Sequence, residues 1–202
     1  MDAAKLRLSQ EELALVSDAQ WILTKNTILT KAIALFAHVQ SQQNHILKDL
    51  SLHSPDNILS IGAKISKGEN YKGLPYIVLD QPRFFQRGHA FAIRHIFWWG
   101  NFFSSTFYLS GNYKKQYEQH ICNAYSILKE NDCFICINDD PWEHHFEETN
   151  FIAINTLSHD DYKRIIVNHS FIKIADKLPV SKWENAEKKL INSFRLYLSL
   201  LD

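Results

Sequence analysis

The chain has 202 residues, 46% of them hydrophobic and 22% charged, and its 22 basic and 22 acidic side chains cancel at neutral pH. That length suits one domain able to bury a core without covalent staples, and the absence of net charge removes the pull that would draw the whole molecule onto nucleic acid or an anionic membrane. Cys122, Cys133 and Cys136 give no disulfide framework, and with no leader pattern and no run near the ~20 apolar residues of a bilayer span, a cytoplasmic protein is expected.

Ser9 followed by Glu12 has capping-box form, and Leu13, Leu15 and Val16 come next, which predicts a short helix to about residue 18. Ile22, Leu29, Ile33, Phe36, Ile46 and Leu50 then recur at roughly helical spacing, with no Gly or Pro through residue 54. The pattern predicts one long helix, or two with a break near 40–44, ending before Pro55. Residues 1–55 thus read as a helical layer and 56–202 as a body of sheet and helices, within a single domain spanning 1–202.

From residue 58 the texture changes. Residues 58–66 read as a strand, KGENYKG (67–73) as a turn-rich loop and PYIVLD (75–80) as a second strand. Residues 90–111, the most apolar and aromatic run, read as a hairpin turning at Gly100-Asn101. A two-residue turn there pairs Trp99 with Phe102, His95 with Thr106 and Ile93 with Tyr108. Period two then puts Phe91, Ile93, His95 and Phe97 on one face with Ser104, Thr106 and Tyr108. Ala92, Arg94, Ile96 and Trp98 share the other with Phe103, Ser105 and Phe107. Large apolar groups on both faces mean that both need cover. Four consecutive strands with short connections predict an antiparallel meander.

Beyond the hairpin, a helix is expected from Asn112, with Tyr113, Tyr117, Ile121, Tyr125 and Leu128 along one side. Strands follow at 133–138 and 151–155, separated by an acidic loop at 139–148. Ser158 caps a helix with Asp160 and Asp161 in its first turn. A strand at 171–175 and a final helix capped by Ser181, striped by Trp183, Leu190, Phe194, Tyr197 and Leu201, complete the chain. The fold class is α+β: a mostly antiparallel sheet of five to seven strands centred on the 90–111 hairpin, packed by helices.

Three constellations bear on function. Cys133-x-x-Cys136 has the spacing of half a metal knuckle, but an extended backbone sends residues three apart to opposite faces, so these are structural thiols. The loop DDPWEHHFEE (139–148) holds five carboxylates and two imidazoles. On a helical turn, His144 and Glu148 would share a face beside His145, a donor set suited to zinc and to a metal-dependent hydrolase. The third is basic: residues 64–94 carry Lys64, Lys67, Lys72, Arg83, Arg87 and Arg94 against Glu69 and Asp80. These charges either pair with the acidic 130–148 stretch or bind an anion.

Arg94 matters most, because a mid-strand guanidinium requires an acid, internal or foreign. His95, with Thr106, Ser104 and Tyr108, adds a polar island among aromatics. The expected function is a non-catalytic binding or interaction module without a cofactor, recognising a small anion or acidic protein segment through Arg83, Arg87, Arg94, His95 and Tyr108. Trp98, Trp99, Phe102 and Phe103 project to both faces, which argues against a stacking surface for nucleic acid. If one aromatic face stays open, a homodimer is the expected consequence.

Overall fold

The computed structural model describes residues 6–49 and 61–201. The chain opens with α1 (Gln10–Ser17) and α2 (Ala19–Asp49). The capping box is formed: Ser9 Oγ accepts the Glu12 amide at 3.1 Å and Glu12 Oε2 accepts the Ser9 amide at 2.7 Å. Asp18 Oδ1 caps the next helix by accepting the amides of Gln20 and Trp21 at 2.9 and 3.3 Å.

Helix α2 is a single unbroken element of 31 residues. Its buried stripe is Ala32, Phe36, Val39 and Gln43. The polar stretch that allowed a break is where the helix meets the polar part of the sheet, so Gln43 goes inward. The predicted end before Pro55 lies outside the described residues.

Seven strands follow: β1 (Lys64–Tyr71), β2 (Leu74–Gln86), β3 (His89–Trp98), β4 (Phe102–Ser110), β5 (Phe134–Cys136), β6 (Phe151–Ala153) and β7 (Phe171–Pro179). They form one antiparallel sheet in the order β1-β2-β3-β4-β7-β5-β6. The first four are the expected meander. Most of KGENYKG belongs to β1 rather than to a loop, because residues 64–68 pair continuously with β2 and the turn is confined to Lys72 and Gly73.

Helices α3 (Asn112–Asn123) and α4 (Tyr125–Glu130) divide the predicted single helix at Ala124, and α5 (His159–Asn168) starts at its expected Ser158 cap. Strand β7 runs four residues beyond its expected end because β4 pairs with it along its whole length. A 3-10 turn (Val180–Asn185) therefore precedes α6 (Ala186–Ser199), and Ser181 is not its cap.

The hairpin turns through three residues, Trp99, Gly100 and Asn101, not two. Trp98 pairs with Phe102, and the Asn101 amide closes the turn on the Trp98 carbonyl at 3.1 Å. Trp99 is drawn out of the ladder by donating its amide to the Pro75 carbonyl at 3.0 Å. A slip of one residue reverses every side chain of β4. His95 lies opposite Ser105, Arg94 opposite Thr106 and Ala92 opposite Tyr108.

One face therefore gathers Phe91, Ile93, Phe97, Phe103, Phe107 and Leu109 under the helices. Phe107 stacks on Tyr197 of α6 at 5.8 Å, and Trp183 lies edge-on to Phe97 and Phe103. The other face has two smaller apolar clusters, around Phe151, Phe171 and Ala175 and around Val78, Ile96 and Trp98. It is covered by the irregular connection between β5 and β6, residues 137–150, whose Phe146 packs on Phe102, Phe134 and Phe151.

Candidate functional site

Beneath that connection the second sheet face carries its charged residues. Arg94 and Asp80 are cross-strand partners on β3 and β2, just before a bulge shifts the ladder. Arg94 Nε donates to Asp80 Oδ1 at 2.7 Å and Nη2 to Oδ2 at 3.0 Å, a bidentate pair. The guanidinium lies 5.7 Å from the Phe85 ring centroid and 5.4 Å from that of Trp142. Its acid is internal, so charge alone does not make it an anion receptor.

Lys173, on β7 opposite Tyr108, is 2% exposed. Its ammonium donates to the Pro141 carbonyl at 2.8 Å and to the Glu143 carbonyl, and lies 5.2 Å from the Phe151 ring. Among the described residues no carboxylate oxygen lies within 4.0 Å of it. Burial lowers its pKa to about 8, Arg94 pushes the same way, and Cys136, Asp140 and Glu143 oppose.

His144 completes the group. Burial, then the positive charges of Lys173 and Arg94, hold its pKa well below the usual value, so the ring is neutral, and its Nδ1 is buried without a hydrogen-bond partner. Arg94, Thr106, Tyr108, Lys173, Phe85, Trp142 and His144 line one narrow crevice with about 10 Å³ of free volume, of order one water molecule. Trp142 forms its outer wall and is 52% exposed. Tyr108 stands against Phe85, Trp142 and Phe171, and burial raises its pKa.

The connection is tied down at Tyr71, the last residue of β1. The Tyr71 hydroxyl donates to Glu143 Oε2 at 2.8 Å and accepts the amides of His144 and His145 at 2.7 and 3.1 Å. Its pKa is raised to about 12, chiefly by burial, with Glu143 adding to the rise against the two amides. Asn150 Nδ2 holds the His145 carbonyl at 2.6 Å, and Lys72 reaches Glu147 at 3.7 Å. That ion pair links the basic and acidic stretches.

Of the residues expected to bind a ligand, only Arg94 and Tyr108 line this crevice. Arg83 donates Nε to the Gly62 carbonyl at 3.1 Å, and Arg87 is exposed at the β2–β3 turn. His95 is on the opposite face, fully buried, as its place next to Arg94 on β3 requires; the register slip sets it against Ser105 and moves Tyr108 to the face of Arg94.

The helical turn behind the metal reading does not form: residues 143–146 are irregular, so His144 and Glu148 share no helix face. His145 approaches Glu143 and Glu147 at 3.3 and 3.5 Å, while Glu148 is exposed. Among the described residues no three His, Cys, Asp or Glu side chains converge as a metal site. Cys133 and Cys136 are buried, and burial raises both thiols.

Sequence reasoning missed Lys173 and Trp142, and singled out His144 only as a metal ligand. Trp142, His144 and Phe146 alternate along 142–146, the spacing of an extended segment with one side on a sheet. Glu143 and His145 between them hid that signal. Among the described residues no helix is long and apolar enough to cross a membrane. Comparison with protein-family models, with curated proteins and with solved structures gave no match, and the site's chemistry rests on its own residues.

Proposed function

We propose that the protein is a non-catalytic binding module for a small anionic ligand, taken between Trp142 and the sheet with Arg94, Tyr108, His144 and Lys173 around it. The observation that carries this reading is Lys173: a buried ammonium with two carbonyl acceptors and, among the described residues, no carboxylate in ion-pair reach. Removing an ammonium from water costs several kcal/mol unless a counter-charge compensates. Asp80 is spent on Arg94, so one positive charge is left over, beside an unpartnered imidazole nitrogen that can hydrogen-bond a ligand. A carboxylate entering under Trp142 would satisfy both, and the Phe85, Tyr108 and Trp142 rings would hold its apolar part. The narrow crevice favours a small ligand over a protein segment, and requires Trp142 to swing outward on binding.

Titrating the chain with acetate, benzoate and inorganic phosphate tests this, read by calorimetry and Trp142 fluorescence. Saturable binding is expected for at least one probe. It should weaken at least tenfold in Lys173→Met, about 1.4 kcal/mol or more, and stay unchanged in Arg87→Ala. If no probe binds, or if Lys173→Met binds as the parent does, the reading fails.

A further inference from the structure

Helix α1 and the first turns of α2 touch little of the rest of the described residues. No residue of α1 is buried, and Leu13, Leu15, Val16, Trp21, Ile22 and Leu23 are each between 43% and 70% exposed. The stripe that α2 presents to the sheet begins at Ile28 and Leu29; before them the helix overhangs. The joint at Asp18 leaves an apolar groove of about 440 Å³ between the two helices, lined by Leu15, Val16, Ala19, Trp21 and Ile22.

We infer that this arm is a homodimer interface, in which α1 and the first half of α2 pair antiparallel with the same elements of a second copy. Two observations select that occupant. The groove's Leu15, Val16, Trp21 and Ile22 expose on the order of 400 Å² on one side of the arm, about half of the roughly 800 Å² that one partner contributes to a standard interface. Charge is also divided along the arm. From Ser9 to Asp18 there are three acids and no base; the first half of α2 holds Lys25 and Lys31 and no acid, Lys25 also lying 3.5 Å from Glu69 of its own chain. A two-fold antiparallel pairing lays the acidic half of one copy along the basic half of the other, whereas a parallel pairing opposes like charges. An isologous contact needs such self-complementarity.

Sedimentation equilibrium of the full chain tests the pairing. At tens of micromolar the mass should be double the 23.6 kDa of one chain. Leu15→Glu with Trp21→Glu should give a monomer with an unchanged circular-dichroism spectrum, because these side chains support no core. Glu11→Lys and Lys31→Glu should each weaken the dimer at least tenfold, and their equimolar mixture should regain it, since the mixed pair restores opposite signs at both contacts. A parent chain that stays monomeric at about 200 µM, or a dimer indifferent to Leu15→Glu with Trp21→Glu, overturns the interface. A mixture no tighter than either variant alone overturns the antiparallel arrangement.

Discussion

His95 has no contact with water, and its two ring nitrogens are taken up inside the core. Nδ1 lies 2.8 Å from Ser105 Oγ and Nε2 lies 2.6 Å from the Gln43 amide nitrogen. With that amide donating, the proton sits on Nδ1 and is given to Ser105. Nearby, the Tyr197 hydroxyl donates to Asp176 Oδ2 at 2.7 Å, and Lys189 lies 3.1 Å from Oδ1, close enough for an ion pair but not aligned as a hydrogen bond. Burial lowers the His95 pKa to about 3. The unfolded chain therefore binds a proton that the folded chain refuses between about pH 3 and 6.5, and stability falls as pH drops through that window. Between pH 7.5 and 5.5 urea unfolding should show a loss of about 1.4 kcal/mol for each such histidine, with His144 contributing in the same direction. In His95→Asn the pH-dependent loss should shrink by about that amount, although the variant is less stable at every pH; an unchanged slope would show that His95 is protonated when folded. The sequence made the polar island visible but not its role. Alternation along β3 located His95, and only the turn length decides whether Ser105 or Thr106 stands opposite it on the core face.

The β3–β4 hairpin was legible as an element because aromatic and β-branched residues flank a Gly-Asn pair, and illegible in register because a backbone bond from another strand sets the loop length. The Trp99 amide reaches Pro75, a partner that no local pattern announces. A strand count of five to seven, the meander and the Ser9 and Ser158 caps follow from local chemistry. The insertion of β7 between β4 and β5 does not, since it rests on pairing across more than sixty residues. Two glycines show how differently the ends of β4 are constrained. Gly100 has φ +71 with open space where a Cβ would stand, so Gly100→Ala should cost only the backbone term, about 1 kcal/mol. Gly111 has φ +60, and a Cβ there would collide with the Gly88 carbonyl oxygen as well as with His89. Gly111→Ala must displace backbone, and chemical denaturation should find it costlier than Gly100→Ala by about 1–2 kcal/mol or more. Equal costs would mean that the β2–β3 turn yields freely to α3.

At the scale of the whole molecule the two sheet faces are closed by different means. Helices α2, α3, α5 and α6 cover one with their apolar sides; an irregular segment, residues 137–150, covers the other and brings the site's outer wall with it. The second cover has less apolar contact to hold it, so polar bonds carry more of its closure. Tyr71 is the chief of these, joining the far edge of the meander to the β5–β6 connection through one hydroxyl and three partners. Tyr71→Phe keeps the ring on Trp98, at 5.0 Å, and removes only the oxygen. Two amides and a carboxylate then lose their partner, at a cost of about 1–3 kcal/mol. That cost should appear as local opening, because β3, β4 and β7 do not depend on it. In hydrogen exchange the amides of His144 and His145 should exchange about tenfold faster or more, while those of Ile93, Phe107 and Ile174 keep parental protection. Trp142 emission should shift toward that of an exposed indole, and any anion bound in the crevice should dissociate faster, since the wall that retains it opens more often. If protection in the core strands fell together with that of the segment, cover and sheet would be one cooperative unit, and ligand entry would require more than the movement of Trp142.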